Sequence, residues 1–251
     1  MRMAVTSEVR ERILIVRIER EEKRNAIDVE TALGIDEALN RLDDDPELWV
    51  GVLTGTRTVF SAGTDLKNGM DARTERGGEY GIIRRKRVKP LVAAVEGVAF
   101  GGGFEIALAC DLVVASRSAR FALPESLRGL VATSGALFRV IRALPLHLAK
   151  ELLITGAELN AERAHQFGFV NRVTEAGQAL EGALAVAEEI CASSPVSVRT
   201  TLAAIAAQLE EQDRKGWAET ARAQETVRAS ADMQEGINAF FERRPPRWQG
   251  R

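Results

Sequence analysis

The spacing of apolar residues changes along this chain, and each change predicts a different element. Residues 3–9 and 12–19 alternate or cluster in β-branched types on either side of Glu11-Arg12, which predicts a hairpin. Ala32, Leu33, Ile35, Ala38, Leu39 and Leu42 then recur at helical spacing, with Asp28 as N-cap and Asp43-Asp44-Asp45-Pro46 as the stop. Unbroken apolar runs at 48–53 and 91–95 predict buried strands. The second run breaks at Gly97 and reaches Phe100-Gly101-Gly102-Gly103, then a helix-like run over 104–110 and a strand over 111–115. Helices are predicted over 134–143, 146–153, 161–167 and 178–192, with a strand over 169–173. Past Pro195 no strand signal occurs, and helical patterns cover 196–212, 215–229 and 232–242. This order predicts an α/β core over residues 1–195 and a helical region over 196–251.

Polar stretches interrupt the pattern twice. Residues 68–81, NGMDARTERGGEYG, predict a mobile loop or lid. Residues 84–89, RRKRVK, read as a solvated helix end, with a phosphate-bearing ligand as the functional alternative.

Composition narrows the class without naming a chemistry. With 251 residues, 45% hydrophobic, 28% charged and a net charge of −2, the chain fits one large domain or a domain with a small appendage. The balance supplies no whole-chain attraction to nucleic acid or membrane. The N-terminus lacks an apolar signal core, and the run at 13–18 is too short to span a bilayer, so a cytoplasmic location is expected. Cys110 and Cys191 lie in apolar helical contexts and read as buried free thiols in a reducing compartment. Neither sits in CxxC or CxxH spacing, and no metal site is expected.

Candidate chemistry concentrates in two small-residue loops, 60–67 (FSAGTDLK) and 100–103 (FGGG), each following an apolar strand. Such loops present backbone N–H groups at the strand end, and two donors converging on one oxygen make an oxyanion hole. Glu105 and Glu125 flank the second loop as candidate acid/base groups. Taken singly, each has an ordinary explanation. An acidic residue early in a helix interacts with the dipole, and Pro124-Glu125 suits a solvated turn. His147 and His165 fall in helical patterns away from both loops. Asp65 is suited to fixing its own loop by accepting backbone bonds. Ser134 has no histidine partner in its sequence context, which argues against a hydrolase triad. Trp49 reads as core, and Trp217 and Trp248 as packing or interface residues.

Taken together, the motifs resemble the enoyl-CoA hydratase/isomerase (crotonase) superfamily. The resemblance rests on KRNAID at 23–28, FSAGTDLK, AAVEGVAFGGGFEIALACDLVVAS at 93–116, FALPE at 121–125, the LTG…V pattern at 153–173 and the INAFFERR tail. It implies a spiral of ββα units with a C-terminal helical region that builds homotrimers, often paired into hexamers. It also implies an acyl-CoA substrate, with coenzyme A as part of that substrate and no separate cofactor. Thr64 and Gly102 N–H would form the oxyanion hole. Lys23, Arg24, Ala26, Ser61, Ala62 and Asp65 would belong to the CoA-binding loops, and Phe240 and Arg243 would reach a neighbouring subunit's CoA. Glu105 and Glu125 would hold a water between them, one taking its proton while the other protonates the α-carbon. Family isomerases need only one such group, so both together favour hydration or dehydration.

One segment departs from the family pattern. After the second glutamate the family commonly reads G-x-x-P-G-x-G-G, whereas this chain reads GLVATSGA at 129–136. Thr133 then stands where a glycine commonly helps hold the water, and its side chain should narrow or polarise the pocket. FGGGFEIALA, FSAGTDLK, FALPE, VNRV and RWQGR are similar to carnitinyl-CoA dehydratases, whose trimethylammonium head calls for an aromatic or acidic pocket; Tyr80 is the one tyrosine available. The rival readings are a double-bond isomerase and a non-catalytic acyl-CoA or RNA binder. For RNA the only local support is the basic run, and a nucleic-acid partner is not expected.

Overall fold

The computed structural model describes residues 3–68 and 72–251. The chain starts as an antiparallel hairpin, β1 (Val5–Arg10) and β2 (Ile13–Ile18), turning at Glu11 with φ 55°. Helix α1 (Val29–Asp44) follows, capped by Asp28, whose side chain accepts the Thr31 N–H. Next come β3 (Val50–Thr54), β4 (Val59–Ser61) and the two-residue strands β5 (Arg73–Thr74) and β6 (Gly78–Glu79). The central segment runs β7 (Leu91–Val95), β8 (Val98–Phe100), α2 (Gly102–Ala109), β9 (Leu112–Ser116) and β10 (Arg120–Ala122). Then come α3 (Ala136–Ala143), α4 (Leu146–Thr155), β11 (Glu158–Asn160), α5 (Ala161–Gln166), β12 (Arg172–Thr174) and α6 (Ala179–Cys191). Two helices, α7 (Pro195–Arg228) and α8 (Ala231–Glu242), close the chain.

Two sheets organise the core. The larger has the order β1-β2-β3-β7-β9-β12, and the smaller β11-β10-β8-β4. Strand pairs β3/β4, β7/β8 and β9/β10 each send the first strand to the large sheet and the second to the small one. The chain therefore spirals, as the family resemblance implied. Period-two alternation divides the core: Leu14, Val16 and Ile18 pack towards α1 and α2, while Ile13 and Ile15 face α6. Phe104, Phe121 and Phe169, with ring centroids 5.2 Å apart pairwise, lock α2 onto β10.

Several expectations needed correction. The small sheet was not foreseen as a unit, because three-residue strands are too short to show a period. The two helices expected over 196–212 and 215–229 are one helix, α7. Gly216 is no break: a Cβ there would lie 2.4 Å from Phe138, so glycine allows α7 to lie close on α3. Within the expected lid, 73–79 forms the β5–β6 hairpin and Tyr80 is buried; positions 69–71 of that stretch lie outside the described residues. The basic run is neither a helix nor solvated throughout. Arg85 is buried against Asp36 (2.5 Å) and Asp43 (3.2 Å), and Lys89 donates to the carbonyls of Leu42 and Asp45. Arg87 pairs with Asp111, and Arg84 stacks 3.8 Å over Trp217. Trp49 is only half-buried, with Arg12 stacked 4.7 Å over its ring. Both cysteines are free and half-buried. No single helix among the described residues is long and apolar enough to cross a membrane.

Candidate active site

The small sheet assembles the site. Strand β8 lies between β4 and β10, parallel to both, with Ala99 opposite Ser61 and Phe100 opposite Ala122. The carboxyl ends of three parallel strands therefore deliver Ala62–Thr64, Gly101–Gly103 and Leu123–Glu125 to one place, where open α/β sheets commonly place ligands. The packing there is tight enough to require glycine. A Cβ on Gly103 would meet the Ser61 carbonyl at 2.2 Å. Gly63, at φ 91°, would bring one within 2.9 Å of Gly102 N. The two small-residue loops thus touch at the pair expected to form an oxyanion hole. Gly102 is the first residue of α2 and its N–H has no partner among the described residues, nor has that of Thr64. The neighbouring Asp65 N–H and Gly63 carbonyl bond to Ile27 instead, which holds the loop in register.

Glu105 stands one turn into α2, buried, and its Oε1 accepts the N–H groups of Ser134 (2.7 Å) and Ala136 (3.1 Å). Those donors are the start of α3, where Gly135 takes φ 102° and the helix dipole favours negative charge. Glu125 lies on the short 3-10 turn Pro124–Arg128. Its Oε1 is 2.9 Å from where a Cβ on Gly101 would sit, and its buried Oε2 has no hydrogen-bond partner. Burial raises the Glu105 carboxyl above the ordinary range, and the Glu125 charge adds to that push. Burial raises Glu125 likewise. Two carboxyls so placed share protons as a unit, and the pair holds one near neutrality. The donor pattern decides where the remaining charge rests. Glu105 has two N–H groups aimed at its anion, whereas Oε2 of Glu125 has none, so Glu105 is suited to be the base and Glu125 the acid.

Other predicted residues form a second cluster beside the first. Lys23, the last residue of the 3-10 turn Glu21–Lys23, and Arg24 just after it are exposed, and Ala26 further along the loop is half-buried. Ala62 N–H donates to Arg24 O (2.9 Å), and the buried Ser61 hydroxyl donates to Asn25 O (2.8 Å). Asn25, which the sequence reading did not single out, ties the loops together: buried at φ 52°, it donates through Nδ2 to the Val59 and Phe60 carbonyls. Asparagine is a residue type that visits the left-handed region, and that was the signal within KRNAID; Arg24 beside it takes the same conformation. Asp65 accepts the Lys67 and Asn68 N–H groups and faces Arg20, which also pairs with Asp28 at 2.7 Å. Burial pushes its carboxyl up, but the Lys67 N–H and the Asn68 amide outweigh this, leaving it below the usual range.

Thr133 is half-buried in the turn before α3; the N–H groups that hold Glu105 belong to Ser134 and Ala136. Ser134 thus contributes its backbone. Phe240 lies on α8 under Arg128, at 4.8 Å, and Arg243 is exposed at the helix end; neither is brought to the glutamates. His147 is exposed, and His165 Nδ1 faces the Val170 carbonyl at 2.8 Å. No cluster of three or more His, Cys, Asp or Glu side chains that could hold a metal occurs among the described residues. Tyr80, the one tyrosine the sequence offered for the pocket, reaches the site, with its hydroxyl 2.8 Å from Thr64 Oγ1.

Comparison with known proteins shows the family. The enoyl-CoA hydratase/isomerase family model matches residues 8–251. The chain belongs to that family. It is 38% identical to a mevalonyl-coenzyme A hydratase of Aspergillus fumigatus, over 94% of this chain and 91% of that one. It is likewise 38% identical to a carnitinyl-CoA dehydratase of Salmonella typhi, over 91% of this chain and 92% of that one. A crystal structure of a carnitinyl-CoA hydratase from Mycobacterium avium superposes with a TM-score of 0.93 at 37% identity, covering 100% of both chains. An enoyl-CoA hydratase structure from Mycobacterium tuberculosis gives 0.81 at 43% identity, again over 100% of both. These relatives are named hydratases and dehydratases, which are hydro-lyases of that family.

Proposed function

We propose that this chain reversibly adds water to a 2-enoyl-CoA. The supporting observation is the pair of glutamates beside two free N–H groups: buried Glu105 accepts two N–H groups from the start of α3, and half-buried Glu125 keeps its Oε2 unpartnered. The thioester carbonyl accepts from Thr64 and Gly102 N–H. A water between the carboxyls attacks C3 as Glu105 takes one of its protons, and the electron pair of the C2–C3 double bond moves onto the thioester oxygen as an enolate. Glu125 then delivers its proton to C2 and the enolate collapses to the 3-hydroxyacyl thioester. The pair returns to its starting state by passing one proton from Glu105 back to Glu125. Dehydration is the same path reversed.

The cluster of Lys23, Arg24, Ala26, Ser61 and Ala62 is assigned to the CoA moiety, which is substrate rather than cofactor. Residues 1–195 carry the site and 196–251 the oligomer contacts, in a homotrimer or hexamer in which Phe240 and Arg243 approach a neighbour's CoA; the location is cytoplasmic. A carnitinyl-type head group is the second substrate reading, and the relatives' names favour it. A double-bond shift is disfavoured because both glutamates are present. RNA binding loses its local support, because the basic run 84–89 is mostly paired internally. The test is product analysis with crotonyl-CoA, crotonobetainyl-CoA and a 3-enoyl-CoA. A product heavier by one water supports the reading; an alkene shift with no hydroxyacyl-CoA from any of them overturns it. Light scattering that returns a monomer removes the oligomer assignment.

A further inference from the structure

We propose that Tyr80 sets the length of acyl chain this site accepts, restricting it to short acyl groups; this rests on the hydratase reading above. Tyr80 follows the β5–β6 hairpin and is buried, at 7% exposure. Its backbone has φ 57°, a left-handed conformation uncommon for a bulky side chain. The surroundings hold it there: its N–H donates to Ala72 O at 2.7 Å, and Gly81 follows in the same region at φ 75°. Strain that the surroundings maintain is a reason to look for a function.

The ring lies at the centre of the proposed chemistry. Its hydroxyl is 2.8 Å from Thr64 Oγ1. A Cβ on Gly102 would sit 2.6 Å from that oxygen and 2.7 Å from Cζ, so the phenol end rests directly on the α-carbon of Gly102. Tyr80 therefore contacts both oxyanion-hole residues, and it lies within the fields of Glu105 and Glu125 and near Ser134. With the thioester oxygen in the hole, C2 and C3 must lie towards the glutamates. Carbons beyond C3 must then pass the phenol, whose rigid ring occupies the space between Thr64, Gly102 and Ser134. Burial and the two carboxyls raise its pKa, which keeps the hydroxyl protonated as a neutral wall. The same contacts also explain why Gly102 cannot carry a side chain.

The competing explanation is that Tyr80 is only a core residue, since its ring also joins the main apolar cluster. Chain-length preference separates the two. Tyr80→Leu keeps apolar filling and removes the phenol end; Tyr80→Phe keeps the ring. The kcat/KM for hydration is measured with crotonyl-CoA and 2-octenoyl-CoA, alongside thermal melting of each variant. Tyr80→Leu is expected to raise the octenoyl-to-crotonyl ratio by roughly tenfold or more, the scale of a pocket-size change. Tyr80→Phe is expected to leave the ratio within about threefold of wild type. A Tyr80→Leu protein that folds and keeps the wild-type ratio overturns the proposal. If Tyr80→Leu fails to fold, wild-type protein decides the matter: turnover of 2-octenoyl-CoA equal to that of crotonyl-CoA overturns the length limit, and a crotonyl preference sustains it. Failure of wild-type protein to hydrate either thioester sinks the hydratase reading instead, so the two failures are distinct.

Discussion

Replacing Glu125 with glutamine should make this protein slower and more stable at once, and the pH dependence of the gain can be worked out. Glu125 is half-buried with its Oε2 buried and unpartnered, and desolvation pushes the carboxyl from an ordinary 4.5 up to about 7. A folded-state value above the unfolded one means that the folded protein binds the proton more tightly. The stability this contributes is present in full below the unfolded value and is lost as pH rises through the folded one. At about 1.4 kcal/mol per tenfold change in proton affinity, a move from 4.5 to about 7 withholds roughly 3 kcal/mol once pH is above both. Glutamine cannot ionise and nearly preserves the shape. Urea unfolding should show Glu125→Gln close to wild type near pH ~4 and more stable by up to about 3 kcal/mol near pH ~9. Loss of the Glu125 charge also relieves part of the push on Glu105, so that carboxyl should titrate lower. Hydration of crotonyl-CoA should fall by about 10²–10⁴-fold, the worth of a general acid/base. Equal stability differences at both pH extremes would refute the ionisation argument, and an unchanged hydration rate would refute the acid role.

Other expectations test the neighbouring parts of the site. Gly63→Ala places a Cβ at φ 91° and 2.7 Å from the Phe100 carbonyl, so the hole should open; kcat should drop by about 10²-fold or more, with KM moving much less in steady-state assays. Arg139 is largely buried, donates to the Ile83 carbonyl at 2.7 Å, and its charge favours the Glu105 anion. Arg139→Gln should therefore move the acid limb of the pH–rate profile to higher pH; a limb that stays put or moves lower would contradict that electrostatic link. Neither variant should change the compositional features that set the fold, so circular dichroism serves as the control for both.

Much of the site was readable because its chemistry depends on residue type at close spacing. Glycines after a strand, with Glu105 just beyond them and Glu125 in its own Leu-Pro-Glu motif, announce themselves without a partner. What lay hidden required contacts between segments distant in sequence. Asn25 is one polar residue among many in its loop until its amide is seen bridging to the Val59 and Phe60 carbonyls. Ser134 was weighed as a nucleophile because a side chain is visible in a sequence and a backbone N–H aimed at Glu105 is not. The run RRKRVK looked solvated because charge usually is; Arg85 and Lys89 are buried because Asp36, Asp43 and the α1 carbonyls wait for them.

By itself the sequence determined the α/β order of elements, the capped first helix, the helical C-terminus, the family and the two glutamates. Each of these is local, written in a period, a cap or a motif within a few residues. The tertiary structure decided the rest: the small sheet whose parallel strand ends bring three loops together, the continuity of α7 across Gly216, and the place of Tyr80 against Gly102. Those depend on which surfaces meet. Short strands carry no period, a glycine reads alike as a break or as a close contact, and an aromatic residue reads as core until its neighbours are known.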